Sequence, residues 1–138
     1  MTSRPCSGIW PVAPTPFAED GSLDLPGMRR VIDCMVDQDV DGICILANFS
    51  EQFLLSDEER AILTRVSLEQ AAGRVPVIVT ISHFSTQVAE ARAREAAAQG
   101  AAMVMMMPPY HGALLRTDEE ATFEHFARVG AAGGIPIM

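Results

Sequence analysis

Residues 75–107 read VPVIVTISHFSTQVAEARAREAAAQGAAMVMMM, and this stretch decides the fold. Its apolar run at 75–81 shows no polar alternation, the pattern of a parallel strand covered on both faces. A short polar loop follows (Ser82, His83, Phe84, Ser85), then an alanine-rich helix over 86–99 stopped by Gly100. A second unbroken apolar run at 101–107 completes a strand, a helix and a parallel strand. The methionines at 103, 105, 106 and 107 are assigned to the core of that strand, where their flexible thioethers fill irregular gaps.

The same pattern recurs on both sides. Upstream, residues 9–13 are apolar and punctuated by Pro11, Pro14 and Pro16, which suits a first strand running into a loop. After Asp20-Gly21, the residues Met28, Val31, Ile32, Met35 and Val36 recur with helical period, and Asp24 and Pro26 are start signals. Residues 42–46 form another doubly covered strand. Ser56 with Glu59 is a capping box that opens a helix reaching about Gly73. Downstream, Thr117 with Glu120 is expected to cap a helix reaching about Ala131, and residues 134–138 read as a further strand entry. The glycine-rich 130–134 lies after a helix and before a strand, the reverse of a phosphate cradle, and reads as a helix exit.

Strand starts near residues 9, 42, 76, 102 and 135 give a period of about 25–35 residues, the length of one βα unit. The fold class expected is α/β, a (β/α)8 TIM barrel, of which the chain covers about the first four and a half βα units. Closed barrels of this kind usually need about 250 residues. Residues 1–138 are therefore expected to be the N-terminal half of a single barrel domain, ending inside strand 5. An open doubly wound sheet is the alternative.

Composition bounds the function. The chain has 138 residues, 49% of them hydrophobic, with a net charge of −8 and a pI near 4.7. That acidity argues against a nucleic acid or an anionic membrane as partner and points to a small molecule. All ten basic side chains are arginine, and no lysine is present. Cys6, Cys34 and Cys44 fit neither a disulfide framework nor a zinc spacing, so reduced thiols in a cytoplasmic protein are expected. No secretory signal is read at the N-terminus, and no stretch approaches the ~18 apolar residues of a membrane span. Zincin, nucleophile-elbow and P-loop motifs are all missing, which favours chemistry without a metal or cofactor.

In parallel α/β folds the chemistry lies at the C-terminal ends of the strands. The loops to inspect are therefore 14–16, 47–51, 82–85 and 108–111. Asn48, Phe49 and Ser50 are candidates for a nest of backbone N–H groups that holds a carboxylate, or else simply turn the chain toward Ser56. Tyr110, the single tyrosine, follows two prolines and is placed to relay a proton, unless it is a wet rim residue. His83 is a candidate substrate contact or acid–base group and His111 a loop anchor, whereas His125 reads as a surface or packing histidine.

Three segments carry a family resemblance: G-I-W-P-V-A-P-T-P-F at 8–17, D-G-S-L-D at 20–24, and A-N-F-S-E-Q-F-L-L-S-D-E-E-R at 47–60. Together with P-V-I-V at 76–79, P-P-Y at 108–110 and I-P-I at 135–137, they resemble the dihydrodipicolinate synthase and N-acetylneuraminate lyase family over essentially the whole chain. The resemblance implies a (β/α)8 barrel, usually a homotetramer built as a dimer of dimers. It also implies a Schiff base between a sixth-strand lysine and a 2-keto acid. That lysine would lie beyond Met138.

The family's carboxylate motif, G-[ST]-T-G-E, aligns with Ala47-Asn48-Phe49-Ser50-Glu51, so the relay hydroxyl is lost or moved to Ser50. Tyr110 aligns with a tyrosine that completes a proton relay across a dimer contact, here preceded by Pro109 instead of an aromatic. By this resemblance Tyr110 and Ser50 are the catalytic candidates, and Asn48, Phe49, Ser50 and His83 the substrate-binding ones.

The segment A-N-F-S-E-Q is most similar to the family's sugar-acid dehydratases. It implies dehydration of L-2-keto-3-deoxyarabonate to 2,5-dioxopentanoate without a cofactor. Pyruvate-dependent aldol cleavage, a neuraminate-type lyase, a dihydrodipicolinate synthase-like reaction and a noncatalytic half-barrel assembly piece are the alternatives.

Overall fold

The computed structural model describes residues 7–109 and 118–138, which form an α/β fold in two compact units, Met1–Val77 and Ile78–Met138.

The first unit holds α1 (Leu25–Asp37), β1 (Ile43–Ile45), a 3-10 turn at Asn48–Ser50 and α2 (Asp57–Ala71). α1 starts as its sequence signals indicate: the Asp24 carboxylate accepts from the Gly27 amide at 2.8 Å, and Pro26 occupies the first turn, where its missing N–H leaves no bond unmade. A Cβ on Gly27 would lie 2.2 Å from that carboxylate, so a larger residue there would make the Asp24 side chain shift. Met28 and Ile32 are buried on the face the periodicity assigns to the core.

α2 carries the expected capping box, with the Ser56 hydroxyl accepting from the Glu59 amide at 3.2 Å and the Glu59 carboxylate from the Ser56 amide at 2.8 Å. Its end comes two residues early: the helix stops at Ala71, and Ala72 takes φ +49° before Gly73 does the same at +72°. An alanine in that region costs about 1–2 kcal/mol. The two helices contact each other and share a polar clasp. Asp33 accepts from Arg74 at 2.5 Å and from Gln70 at 2.7 Å, while Arg29 reaches Gln70 at 3.1 Å and Glu69 at 3.2 Å.

The expected first strand narrows to one parallel bridge, Val12 to Cys44. Pro11, Pro14 and Pro16 have no N–H to give a ladder, but the carbonyls of Pro11 and Pro16 still accept. Cys44 donates to Pro11 at 2.9 Å, and Ala13 donates back to Cys44 at 2.8 Å. On the other side of β1, Ile43 donates to the carbonyl of Pro76 at 3.0 Å.

β2 (Val77–Thr80) starts at the last residue of the first unit, and the second unit continues with α3 (Thr86–Ala98), β3 (Met103–Met105) and α4 (Glu119–Gly133). β2 and β3 pair in parallel, Ile78 opposite Met103 and Thr80 opposite Met105. The segment at 134–138 joins β3 through the parallel bridge of Val104 with Ile137. The methionine run is not uniformly core: Met103 and Met106 are buried, whereas Met105 and Met107 are half-buried.

α3 is capped by Ser85 and buries only alanines, Ala89, Ala93 and Ala96, so α4 can come close. α4 corrects two expectations. Its cap is Asp118, accepting from the Ala121 amide at 2.7 Å, instead of the Thr117–Glu120 pair, of which Thr117 lies outside the described residues. It also continues to Gly133, so the glycine-rich segment begins inside the helix, and Gly134 at φ +63° ends it. Among the described residues no helix is long and apolar enough to cross a membrane.

Candidate functional site

In the first unit, two strand-end loops are tied to each other. The Ser50 hydroxyl donates to the Ala13 carbonyl at 2.5 Å, and the Thr15 hydroxyl donates to the Ser50 carbonyl at 2.9 Å. Ser50 is 1% exposed, so its bond to Ala13 sits out of water, while the Thr15 bond is half-buried. The loop between β1 and α2 is held in a demanding conformation. Leu46 at its start has φ +59° and Glu51 near its middle has φ +64°. Non-glycine residues in that region cost of order 1–3 kcal/mol each, and such strain concentrates at functional loops whose surroundings over-determine them. Here the surroundings are the buried Leu46 side chain, the Ser50 tie and the buried Arg60, whose guanidinium donates to the Gln52 carbonyl at 2.9 Å.

Asn48 and Phe49 occupy the first positions of the 3-10 turn, while the Ser50 amide is already spent on the Ala47 carbonyl at 2.8 Å. The first amides of such a turn have no partner within it and can meet an anion. Both side chains are exposed, and Phe49 is 72% accessible. The hydroxyl proton of Ser50 is committed to Ala13, which leaves its oxygen as an acceptor.

In the second unit, the loops after β2 and β3 are linked in a similar way. The Ser82 hydroxyl, buried, accepts from the Met107 amide at 3.0 Å, and the Ser82 carbonyl accepts from Arg92 at 3.0 Å. His83 is half-buried and stacks on Phe84 with centroids 4.4 Å apart. Its Nδ1 accepts from the Ser85 amide at 2.9 Å, which fixes the neutral tautomer with the proton on Nε2. Tyr110 and His111 lie outside the described residues. The first unit thus brings Asn48, Phe49 and Ser50 onto one loop, and His83 belongs to the second unit.

His125 is a packing residue. It is 3% exposed, its Nδ1 is 2.9 Å from the Thr86 hydroxyl, and Phe126 meets it edge-on. Burial, and secondarily Arg128, holds its pKa below the ordinary histidine value, against a weaker pull from Glu90. Among the described residues no group of three or more His, Cys, Asp or Glu is arranged to hold a metal ion.

Sequence reasoning missed Gln52 and Arg60. Gln52 is buried between exposed neighbours, and its side-chain NH2 donates to the Asn48 side-chain oxygen. The available signal was a long polar side chain in the middle of a loop, followed eight positions later by the arginine of E-E-R.

The dihydrodipicolinate synthetase family profile matches residues 5–138. The chain is 60% identical over 131 residues to an L-2-keto-3-deoxyarabonate dehydratase from Azospirillum brasilense, covering 95% of this chain and 42% of that protein. It is 40% identical over 124 residues to a 4-hydroxy-tetrahydrodipicolinate synthase from Azoarcus sp. (strain BH72), covering 90% and 41%. Among solved structures, N-acetylneuraminate lyase from Mycoplasma synoviae superposes with a TM-score of 0.87 at 28% identity, covering 95% of this chain and 45% of that one. The chain spans less than half the length of these relatives.

Proposed function

Since the chain belongs to the dihydrodipicolinate synthetase family, we propose that it forms the N-terminal part of a Schiff-base lyase that dehydrates L-2-keto-3-deoxyarabonate to 2,5-dioxopentanoate. The observation that carries this reading is the likeness to the Azospirillum brasilense dehydratase, well above the likeness to the synthases. The electrophile-forming lysine would come from residues after Met138, in the second half of a (β/α)8 barrel, because these 138 residues hold no lysine. A cytoplasmic homotetramer is part of the same proposal.

The chemistry follows from the iminium. Condensation of a lysine amine with C2 releases water and makes the C3 proton acidic; its loss gives an enamine. The enamine electrons expel the C4 hydroxyl, protonated as it leaves as water, and a C3–C4 double bond conjugated to the iminium remains. Loss of a C5 proton and protonation at C3 turn this into a C4–C5 enol, which tautomerises to the aldehyde. Hydrolysis of the iminium restores the amine and releases the product. In this scheme the amides of Asn48 and Phe49 hold the substrate carboxylate, and Ser50 orients that carboxylate indirectly, by ordering the loop, while its oxygen can accept from a water. Phe49 narrows the entrance, His83 contacts substrate, and Tyr110 moves the proton.

The test is borohydride trapping on the complete gene product, with pyruvate and with a 2-keto-3-deoxypentonate, read by intact mass and product analysis. A trapped lysine adduct with 2,5-dioxopentanoate as product supports the dehydratase. An adduct with pyruvate and an aldehyde as products assigns an aldolase instead, and no adduct with either keto acid overturns the Schiff-base reading.

A further inference from the structure

We infer that Gln52 is a positioning residue that fixes the Asn48 amide with its NH2 group outward, making Asn48 the residue that selects a hydroxylated 2-keto acid over pyruvate. The inference rests on the dehydratase reading and deepens it. Residues 48, 49, 51, 53 and 54 are exposed, yet Gln52 among them is 3% exposed. A buried amide in a surface loop must be held there against its desolvation cost. Two contacts anchor the backbone of the residue: Arg60, itself buried on α2, donates to the Gln52 main-chain carbonyl at 2.9 Å, and the Gln52 backbone N–H donates to the Ala47 carbonyl at 3.3 Å.

The Gln52 side chain spends its NH2 on the Asn48 oxygen, while its own oxygen is buried without a hydrogen-bond partner among the described residues. A carboxamide has one acceptor end and one donor end. With the acceptor end of Asn48 engaged by Gln52, the end left at the surface is the donor. An outward NH2 on the loop that carries the proposed carboxylate amides can donate to a hydroxyl oxygen of a sugar-acid chain. It finds nothing to bond on the methyl group of pyruvate. The path therefore runs from α2 through Arg60 and Gln52 to Asn48.

The test uses the complete gene product with L-2-keto-3-deoxyarabonate as substrate and pyruvate as the trapping probe. Gln52→Glu keeps the shape but can only accept, so Asn48 must turn its NH2 inward and show its oxygen. Gln52→Met keeps the volume, buries no charge and removes the tie, which keeps the test open where the glutamate variant fails to fold. Each is expected to lower the preference for the sugar acid over pyruvate by about tenfold, the scale of one lost hydrogen bond, with the loss in KM more than in kcat. Gln52→Met combined with Asn48→Ala should be no worse than Asn48→Ala alone, because both act through one contact.

A purely structural role for Gln52 would instead lower the melting midpoint and affect both keto acids equally, with additive losses in the double variant. That result, or an unchanged preference, overturns the inference while wild type still traps and dehydrates. Failure of wild type to form any adduct overturns the dehydratase reading and this inference with it.

Discussion

Ser50→Ala separates a hydroxyl that serves the fold from one that serves chemistry. The substitution removes the donor to the Ala13 carbonyl, a 2.5 Å bond between two residues that are each about 1% exposed. Water cannot replace it, so the orphaned carbonyl keeps its desolvation cost, about 1–3 kcal/mol. For a domain of this size each kcal/mol moves the melting midpoint by about 3–4 °C, so a drop of roughly 3–12 °C is expected. Thermal melts followed by far-ultraviolet circular dichroism measure it. Thr15→Val, which removes the donor to the half-buried side of the same tie, should cost less, about 1 kcal/mol. The double variant should cost less than the sum, because both bonds meet at Ser50. If Ser50→Ala melts within about 1 °C of wild type while the complete enzyme loses turnover, the hydroxyl does not hold the loop and acts on substrate.

Three further outcomes follow from the same structure. Gly42→Ala places a Cβ 2.2 Å from the ring of Trp10, the only tryptophan, so it should destabilise the first unit by about 1–3 kcal/mol and shift the tryptophan emission. Asp33 has its pKa lowered by its bond from Arg74 and then by that from Gln70, so the clasp contributes stability above the ordinary carboxylate pKa that is lost as pH falls through the lower folded value. Asp33→Asn should flatten the acid limb of a stability–pH curve measured by urea unfolding. His125 shows the opposite titration: its folded pKa lies below 6.5, so the unfolded chain binds the proton more readily, and stability should fall as pH drops from 7 through 6.5 toward the folded value. His125→Gln should remove that slope, and an unchanged slope would mean that another group titrates there.

The helices were legible because their signals are local. Asp24 with Pro26, and Ser56 with Glu59, are contained within one turn of chain, and the structure uses both. The errors arose where two local signals competed within a residue or two. Asp118 stands beside Thr117 and offers a carboxylate oxygen to the Ala121 amide, and Ala72 takes a left-handed conformation that sequence rules reserve for Gly73. The strands were legible as apolar runs but not in extent. Pro11 and Pro14 cannot donate, so the first run keeps one bridge although its carbonyls remain engaged.

The candidate loop was located by its place after a buried strand, but its internal order was not readable from spacing. Ser50 was legible as a hydroxyl near the proposed carboxylate site. Its bond to Ala13, 37 positions away, comes only from the parallel alignment of Val12 with Cys44, which brings the two strand ends level. Ser82 and Met107 repeat the device in the second unit, 25 positions apart and across the pairing of Thr80 with Met105. In each unit a buried serine hydroxyl at one strand end bonds the backbone of a neighbouring strand end, once as donor and once as acceptor. A strand-end loop must expose the groups that meet a ligand, and it can do so in one conformation only if its remaining polar groups are satisfied inside. Ser50, the backbone and side-chain NH2 of Gln52, and Arg60 from α2 supply that inner side of the loop from 46 to 52, while Asn48 and Phe49 form its outer side.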